Sequence, residues 1–256
     1  MLAYDRRGNG PPVVLVHHLG GTRSAWDLVR DALAERHDTI AVDVPGFGAS
    51  PPLAGPPTVP ALTDAVGALL ADLALEPPAV AGVSLGGAIA LELAARGAVR
   101  CATVISPVGF ATPREQSYAR WSLRGTLALS RRLRPVLPAM CATAPARTLL
   151  GGQIYGRPWR VPAAEMAAAA EDLGRAPSSG PAIELGAGWR ARPVDARVPV
   201  TVIWGTRDRL LLPRQARRAQ RLIPHARIVR LAGCGHLPFH DDPAAVAAAL
   251  AAGAAA

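Results

Sequence analysis

A serine stands at the junction of a predicted strand and a predicted helix in residues 79–94, AVAGVSLGGAIALELA. The run Ala79–Val83 is short, apolar and rich in small or β-branched residues, which predicts a buried strand. Apolar residues at helical spacing follow it directly. Gly82 and Gly86 flank Ser84 at the spacing G-x-S-x-G, which allows a strained turn to form without side-chain clashes. The stretch therefore predicts strand, tight turn and helix, with the hydroxyl of Ser84 standing clear of the sheet.

Apolar strand patterns alternate with helical patterns along most of the chain. The predicted strands are residues 13–16, 39–44, 79–83, 101–106, 198–204 and 226–231. This alternation is typical of a mostly parallel sheet with helices on both faces, and such a sheet binds ligands at the carboxyl ends of its strands. Residues 107–195 contain only helical patterns broken by proline and glycine. We therefore predict a core formed by 1–106 and 196–256, with 107–195 inserted as a helical cap, or lid.

Two further polar residues follow predicted strands at the edge where Ser84 lies. Asp208 comes after strand 198–204, and His236 comes after strand 226–231. Serine is a poor nucleophile at neutral pH, so it needs a base, and the base needs an anion that fixes its tautomer. The pattern predicts Ser84 as nucleophile, His236 as general acid and base, and Asp208 as the orienting carboxylate. The N–H of Leu85, at the helix start, is placed to meet a developing oxyanion.

Five motifs occur along the chain in one order. They are Val16-His17-x-x-Gly20-Gly21 with Trp26, Asp43-x-Pro45-Gly46-Phe47-Gly48-x-Ser50, Gly82-x-Ser84-x-Gly86-Gly87, Gly205-x-x-Asp208 with Pro213, and Gly233-x-Gly235-His236 with Asp242-Pro243. With these motifs the sequence resembles the α/β-hydrolase superfamily, in the branch of capped single-domain serine esterases and lipase-like enzymes. The resemblance covers the core but not the cap. It implies the α/β-hydrolase fold, the triad Ser84, Asp208 and His236, an oxyanion hole formed by the N–H groups of Leu19 and Leu85, and no cofactor or metal.

The sequence departs from the pattern of this superfamily at two places. The chain begins at what resembles the family's second strand, so we expect the first edge strand to be missing. His18 stands where the family usually has glycine. An imidazole there either crowds the oxyanion hole, reaches into it as an extra donor, or turns away, so His18 is a candidate substrate contact.

Three functions remain open on the sequence. The first is a serine hydrolase that cleaves a small carboxylic ester or thioester through an acyl-enzyme. The second is a non-hydrolytic lyase, cyclase or isomerase of secondary metabolism, in which the triad and His18 act as acid and base. The third is a non-catalytic small-molecule binding protein, against which the complete triad argues because a receptor needs no positioned base.

The composition of the chain argues against some classes of binding partner. The net charge of +9 comes from 28 basic residues, all of them arginine, which are spread along the chain, and only 4% of residues are aromatic. This distribution predicts no nucleic-acid surface. The chain shows no signal peptide and no apolar run of bilayer length, and its three cysteines are widely spaced, so we expect a cytoplasmic monomer or homodimer with no membrane partner. The arginines of the cap permit an acidic substrate without requiring one.

Overall fold

A mostly parallel sheet of seven strands forms the centre of the computed structural model, which describes residues 1–186 and 188–255. The spatial order is β1-β3-β2-β4-β5-β6-β7. The strands are β1 (Tyr4–Arg7), β2 (Pro12–Val16), β3 (Asp38–Val42), β4 (Ala79–Val83), β5 (Cys101–Ile105), β6 (Val200–Gly205) and β7 (Arg227–Leu231). Only β1 runs antiparallel to its neighbour, β3. The predicted α/β sheet is thus confirmed.

Helices cover both faces of this sheet. They are α1 (Asp27–Ala34), α2 (Val59–Asp72), α3 (Leu85–Ala95), α9 (Gln215–Leu222) and α10 (Pro243–Ala254). Val13 and Leu15 of β2 pack in one apolar cluster with residues of α1 and α10, while Val14 and Val16 pack in the other with residues of α2, α3 and α9. Because both faces of the strands are buried, their sequences are continuous apolar runs rather than alternating ones.

Five helices lie between β5 and β6, and we call them the inserted helices. They are α4 (Pro113–Leu133), α5 (Leu137–Cys141), α6 (Ala144–Gly151), α7 (Ala163–Arg175) and α8 (Ser179–Gly186). Thr112 and Glu115 cap the start of α4, since each side chain accepts a hydrogen bond from the backbone N–H of the other residue. No strand occurs in the described part of this segment, as its sequence predicts. None of the described helices is both long and apolar enough to cross a membrane.

The two edges of the sheet differ in character. β1 has four residues, and its outer side pairs with no other strand among the residues described. This agrees with the expectation that the family's first edge strand is missing. β7, at the opposite edge, exposes Arg227 and Arg230. Short or charged edge strands resist pairing with other chains.

Candidate active site

Ser84 occupies a strained turn between β4 and α3. Its backbone has φ 56° and ψ −110°, and its N–H donates to the Ile105 carbonyl at 2.9 Å. A Cβ on Gly82 would lie 2.1 Å from the carbonyl oxygen of Gly86, and one on Gly86 would lie 2.1 Å from that of Val16. The two glycines are required because backbone fills the space where their side chains would be. The strand, turn and helix expected from the sequence are confirmed.

Asp208 and His236 are joined by a buried hydrogen bond. The loops after β6 and β7 bring His236 Nδ1 to 2.9 Å from Asp208 Oδ2. The other carboxylate oxygen, Oδ1, accepts the N–H groups of Leu210 at 2.9 Å and Leu211 at 2.8 Å. Since Nδ1 faces a carboxylate, it carries the proton, and Nε2 is the nitrogen with the free lone pair. Both side chains are almost fully buried.

Ser84 and His236 line one cavity of about 640 Å³, which we call the large cavity. Asp208 lies behind His236 and does not line it. The rest of the wall is mainly aliphatic and comes from the inserted helices, including Leu123, Leu133, Leu149 and Met166. Among the described residues that line this cavity there is no arginine, aspartate or glutamate. Its interior therefore suits an apolar group.

A second, smaller cavity of about 60 Å³ meets the large one at Ser84. Leu19 and Leu85 line this small cavity together with the serine. The backbone N–H groups of Leu19 and Leu85 donate no hydrogen bond to any other residue that the structure describes. Two free N–H groups beside one hydroxyl form an arrangement that can bind an oxyanion.

His17 and Asp43 brace the loop that carries Leu19. His17 Nε2 accepts the Val44 N–H at 2.9 Å, and His17 Nδ1 lies 2.7 Å from the His18 carbonyl. The Asp43 carboxylate accepts the N–H groups of Arg23 at 2.7 Å and Ala49 at 2.9 Å. These contacts place the two residues behind the site, where they fix the backbone.

His18 lines the large cavity, and it also lines a separate groove of about 430 Å³. Its Nδ1 lies 2.9 Å from the Leu19 carbonyl, so Nδ1 donates and Nε2 keeps a lone pair. The ring packs over Gly21, where a Cβ would lie 2.8 Å from His18 Cε1. Burial lowers the pKa of His18 to about 4. A neutral imidazole therefore forms part of the cavity wall at physiological pH.

The buried histidines make stability sensitive to acid. Burial lowers the pKa of both His17 and His18 to about 4, below the ordinary value of 6.5. Between these values the unfolded chain binds more protons than the folded one, so stability is complete above pH 6.5 and falls as the pH approaches 4. We measure the free energy of unfolding by urea denaturation at pH 7 and at pH 5. We expect it to fall less between these two pH values for the His18→Gly variant than for the unmodified protein.

The control for this measurement is Gly67→Ala in α2, which changes no titratable group and whose added Cβ would meet only Leu93 Cδ2. This variant should keep the pH dependence of the unmodified protein. An equal loss of stability in the His18→Gly variant would contradict the expectation, because His18 would then titrate alike in the folded and unfolded states.

Asp241 is a site residue that sequence reasoning missed. Its carboxylate accepts the N–H groups of Gly235 at 2.8 Å, Gly156 at 2.8 Å and Arg157 at 2.7 Å. It thereby ties the loop of His236 to the segment between α6 and α7. The neighbouring Asp242 has a different role, since its side chain accepts the Ala245 N–H at the start of α10. Nothing in the sequence distinguishes the role of Asp241 from that of Asp242.

The cysteine and acidic side chains were candidates for a reactive thiol or a metal site. Cys101, Cys141 and Cys234 are buried free thiols, and burial raises the pKa of Cys234 to about 11. Among residues 1–186 and 188–255, no three side chains of histidine, cysteine, aspartate or glutamate are grouped so that they could hold a metal ion.

Comparison with other proteins places this geometry in a family. The chain is 32% identical over 255 residues to the pimeloyl-[acyl-carrier protein] methyl ester esterase of Aromatoleum aromaticum, an alignment that covers 92% of this chain and 94% of the relative. It is 29% identical to the uncharacterized protein Rv2715 of Mycobacterium tuberculosis, with coverage of 94% and 74% respectively.

Solved structures share the fold. The esterase EaEST from Exiguobacterium antarcticum aligns with a TM-score of 0.78 at 18% identity, over 100% of this chain and 96% of the esterase. The sequence model of the alpha/beta hydrolase family matches residues 13–249, which include all five motifs of the core. The chain is therefore a member of the alpha/beta hydrolase family.

Proposed function

We propose that the protein hydrolyses a carboxylic ester, or a thioester, through an acyl-enzyme intermediate on Ser84. The observation that carries this proposal is that His236, held by a buried hydrogen bond to Asp208, lines the same cavity as the strained Ser84. The similarity to proteins named as esterases supports the reaction class. The inserted helices then act as a cap, since they supply most of the wall of the large cavity.

In the proposed reaction His236 Nε2 takes the proton of Ser84 as its oxygen attacks the substrate carbonyl. The N–H groups of Leu19 and Leu85 bind the oxyanion that forms. The leaving alcohol or thiol then receives the proton from His236. Water repeats the sequence and releases the acid, so no cofactor takes part. The aliphatic wall of the large cavity favours a substrate with an apolar chain on one side of the scissile bond.

The test is labelling with a fluorophosphonate probe, read by intact mass, together with turnover of p-nitrophenyl acetate and butyrate. We expect one adduct on the unmodified protein and none on Ser84→Ala. Ser106→Ala is a matched control, because Ser106 also follows a strand and has positive φ but is fully buried and lines no described cavity near Ser84. Its adduct should persist. A folded protein that neither reacts nor turns over esters would contradict the proposal.

His18 supports one alternative function at the same site. His18 in the cavity wall keeps a lone pair on Nε2, which would accept a hydrogen bond from a substrate hydroxyl in a non-hydrolytic lyase, cyclase or isomerase. In that case catalysis would need His18 and proceed without an acyl-enzyme. Retention of ester turnover and of the adduct in His18→Gly would exclude this alternative. Ligand binding that Ser84→Ala leaves unchanged, without turnover, would instead indicate a binding protein.

A further inference from the structure

One buried arginine lacks the partners that the others have. Seven arginines are partly or fully buried, namely Arg23, Arg30, Arg100, Arg120, Arg147, Arg157 and Arg218. Six of them donate hydrogen bonds to carboxylates or carbonyl oxygens. Arg120 donates none to any residue in 1–186 or 188–255, and its Nε is buried. A buried donor without an acceptor is unfavourable, so the Nε of Arg120 requires an explanation.

Arg120 lies on the face of α4 that borders Ser84. Gln116, Ala119, Arg120 and Leu123 follow the spacing i, i+3, i+4, i+7, so they share one side of the helix. All four line the small cavity, together with Ser84. The side chain of Gln116 also makes no hydrogen bond within the part of the chain that the structure describes. Two residues that carry donor groups thus line the cavity, and their side chains have no acceptor among the described residues.

We infer that Arg120, with Gln116, binds a carboxylate on the short side of the substrate. This inference rests on the proposed function and adds the substrate class. The large cavity contains no charged carboxylate or guanidinium, whereas the small one contains Arg120, and the two meet at Ser84. The substrate is therefore an ester with an apolar chain on one side of the scissile bond and a carboxylate on the other.

The size of the small cavity limits the anionic part. Its volume is about 60 Å³, against about 640 Å³ for the large cavity. A carboxylate separated from the scissile group by one or two carbons fits such a space. Guanidinium is suited to this role because its planar donors match the two oxygens of a carboxylate. The carboxamide N–H₂ of Gln116 supplies a further donor.

The test compares anionic esters with neutral esters of the same shape. One pair is hexyl hydrogen succinate and hexyl isocaproate, in which an isopropyl group replaces the carboxylate on the acid side. The other pair is carboxymethyl hexanoate and isobutyl hexanoate, which places the same change on the alcohol side. For at least one pair we expect the unmodified protein to prefer the anionic member at least tenfold in kcat/KM, through a lower KM.

Three variants test whether Arg120 causes the preference for the anionic ester. Arg120→Leu should bring the kcat/KM ratio of the pair to about one, and Arg120→Lys should restore part of the preference. Arg124→Leu is the matched control, because Arg124 lies one turn along α4, is exposed and pairs with Glu184. That variant should retain the full preference. Thermal unfolding of each variant shows that it is folded.

Two results would overturn the inference. The first is equal use of the anionic and neutral members of both pairs by the unmodified protein. The second is an Arg120→Leu variant that lowers kcat/KM equally for both members, which would indicate a purely structural role. Labelling of Ser84 by fluorophosphonate is independent of the anionic group. A normal adduct without anionic preference would therefore reject this inference alone, whereas loss of the adduct would reject the proposed function.

Discussion

Asp208→Asn is expected to lower kcat by about 10⁴-fold while leaving the fold intact. The geometry gives the reason. Oδ1 of Asp208 accepts two backbone N–H groups, from Leu210 and Leu211, so the amide oxygen of asparagine will take that position. The amide N–H₂ then replaces Oδ2 and donates to His236 Nδ1. His236 is thereby held with its proton on Nε2, the nitrogen that accepts the proton of Ser84 in the proposed reaction.

The measurement is kcat on p-nitrophenyl butyrate, with urea denaturation to check the fold. Asp195→Asn is the control, because Asp195 is exposed and pairs with Arg197, away from the cavities at Ser84. It should leave kcat unchanged. A loss of less than tenfold in Asp208→Asn would contradict the proposed role of Asp208 in setting the tautomer of His236.

Gly82→Ala is expected to destabilise the protein by at least about 3 kcal/mol. The new Cβ would lie 2.1 Å from the Gly86 carbonyl oxygen, 2.4 Å from its carbon and 2.8 Å from the Gly87 nitrogen. All three atoms are backbone, so no rotamer change relieves the overlap. The start of α3 would have to move away from β4, and Ser84 would move with it.

Gly67→Ala provides the comparison in urea denaturation. Gly67 lies within α2, and an added Cβ would contact only Leu93 Cδ2 at 3.9 Å. Because glycine is unfavourable inside a helix, alanine there should be neutral or stabilising by up to about 1 kcal/mol. A Gly82→Ala variant that unfolds within about 1 kcal/mol of the unmodified protein would show that the turn adapts more easily than its geometry indicates.

The core and the positions of Ser84, Asp208 and His236 could be predicted because local patterns determine them. Buried parallel strands are continuous apolar runs, and each of these residues follows such a run at the carboxyl edge of the sheet. Glycine spacing around Ser84 has a steric cause that is visible in the sequence.

Residues whose function depends on tertiary packing could not be predicted in this way. Arg120 resembles the other arginines of the inserted helices in sequence, and only the packing of α4 beside Ser84 separates it from Arg124. Proline in the inserted segment marks helix starts as well as breaks. Pro138 and Pro145 lie in the first turn of α5 and α6, where the missing N–H of proline has no cost.

The carboxylate of Asp241 has a consequence for building chimeras. β5 and β6 are neighbours in the sheet, so an inserted segment taken from another member of the family would meet the core at two adjacent strand ends. It would also have to meet a third point, since Asp241 binds Gly156 of the insert and Gly235 of the core at once. A Cβ on Gly156 would lie 2.2 Å from the Gly233 carbonyl oxygen. Segments that lack a glycine at this junction will be incompatible donors, however well their ends match.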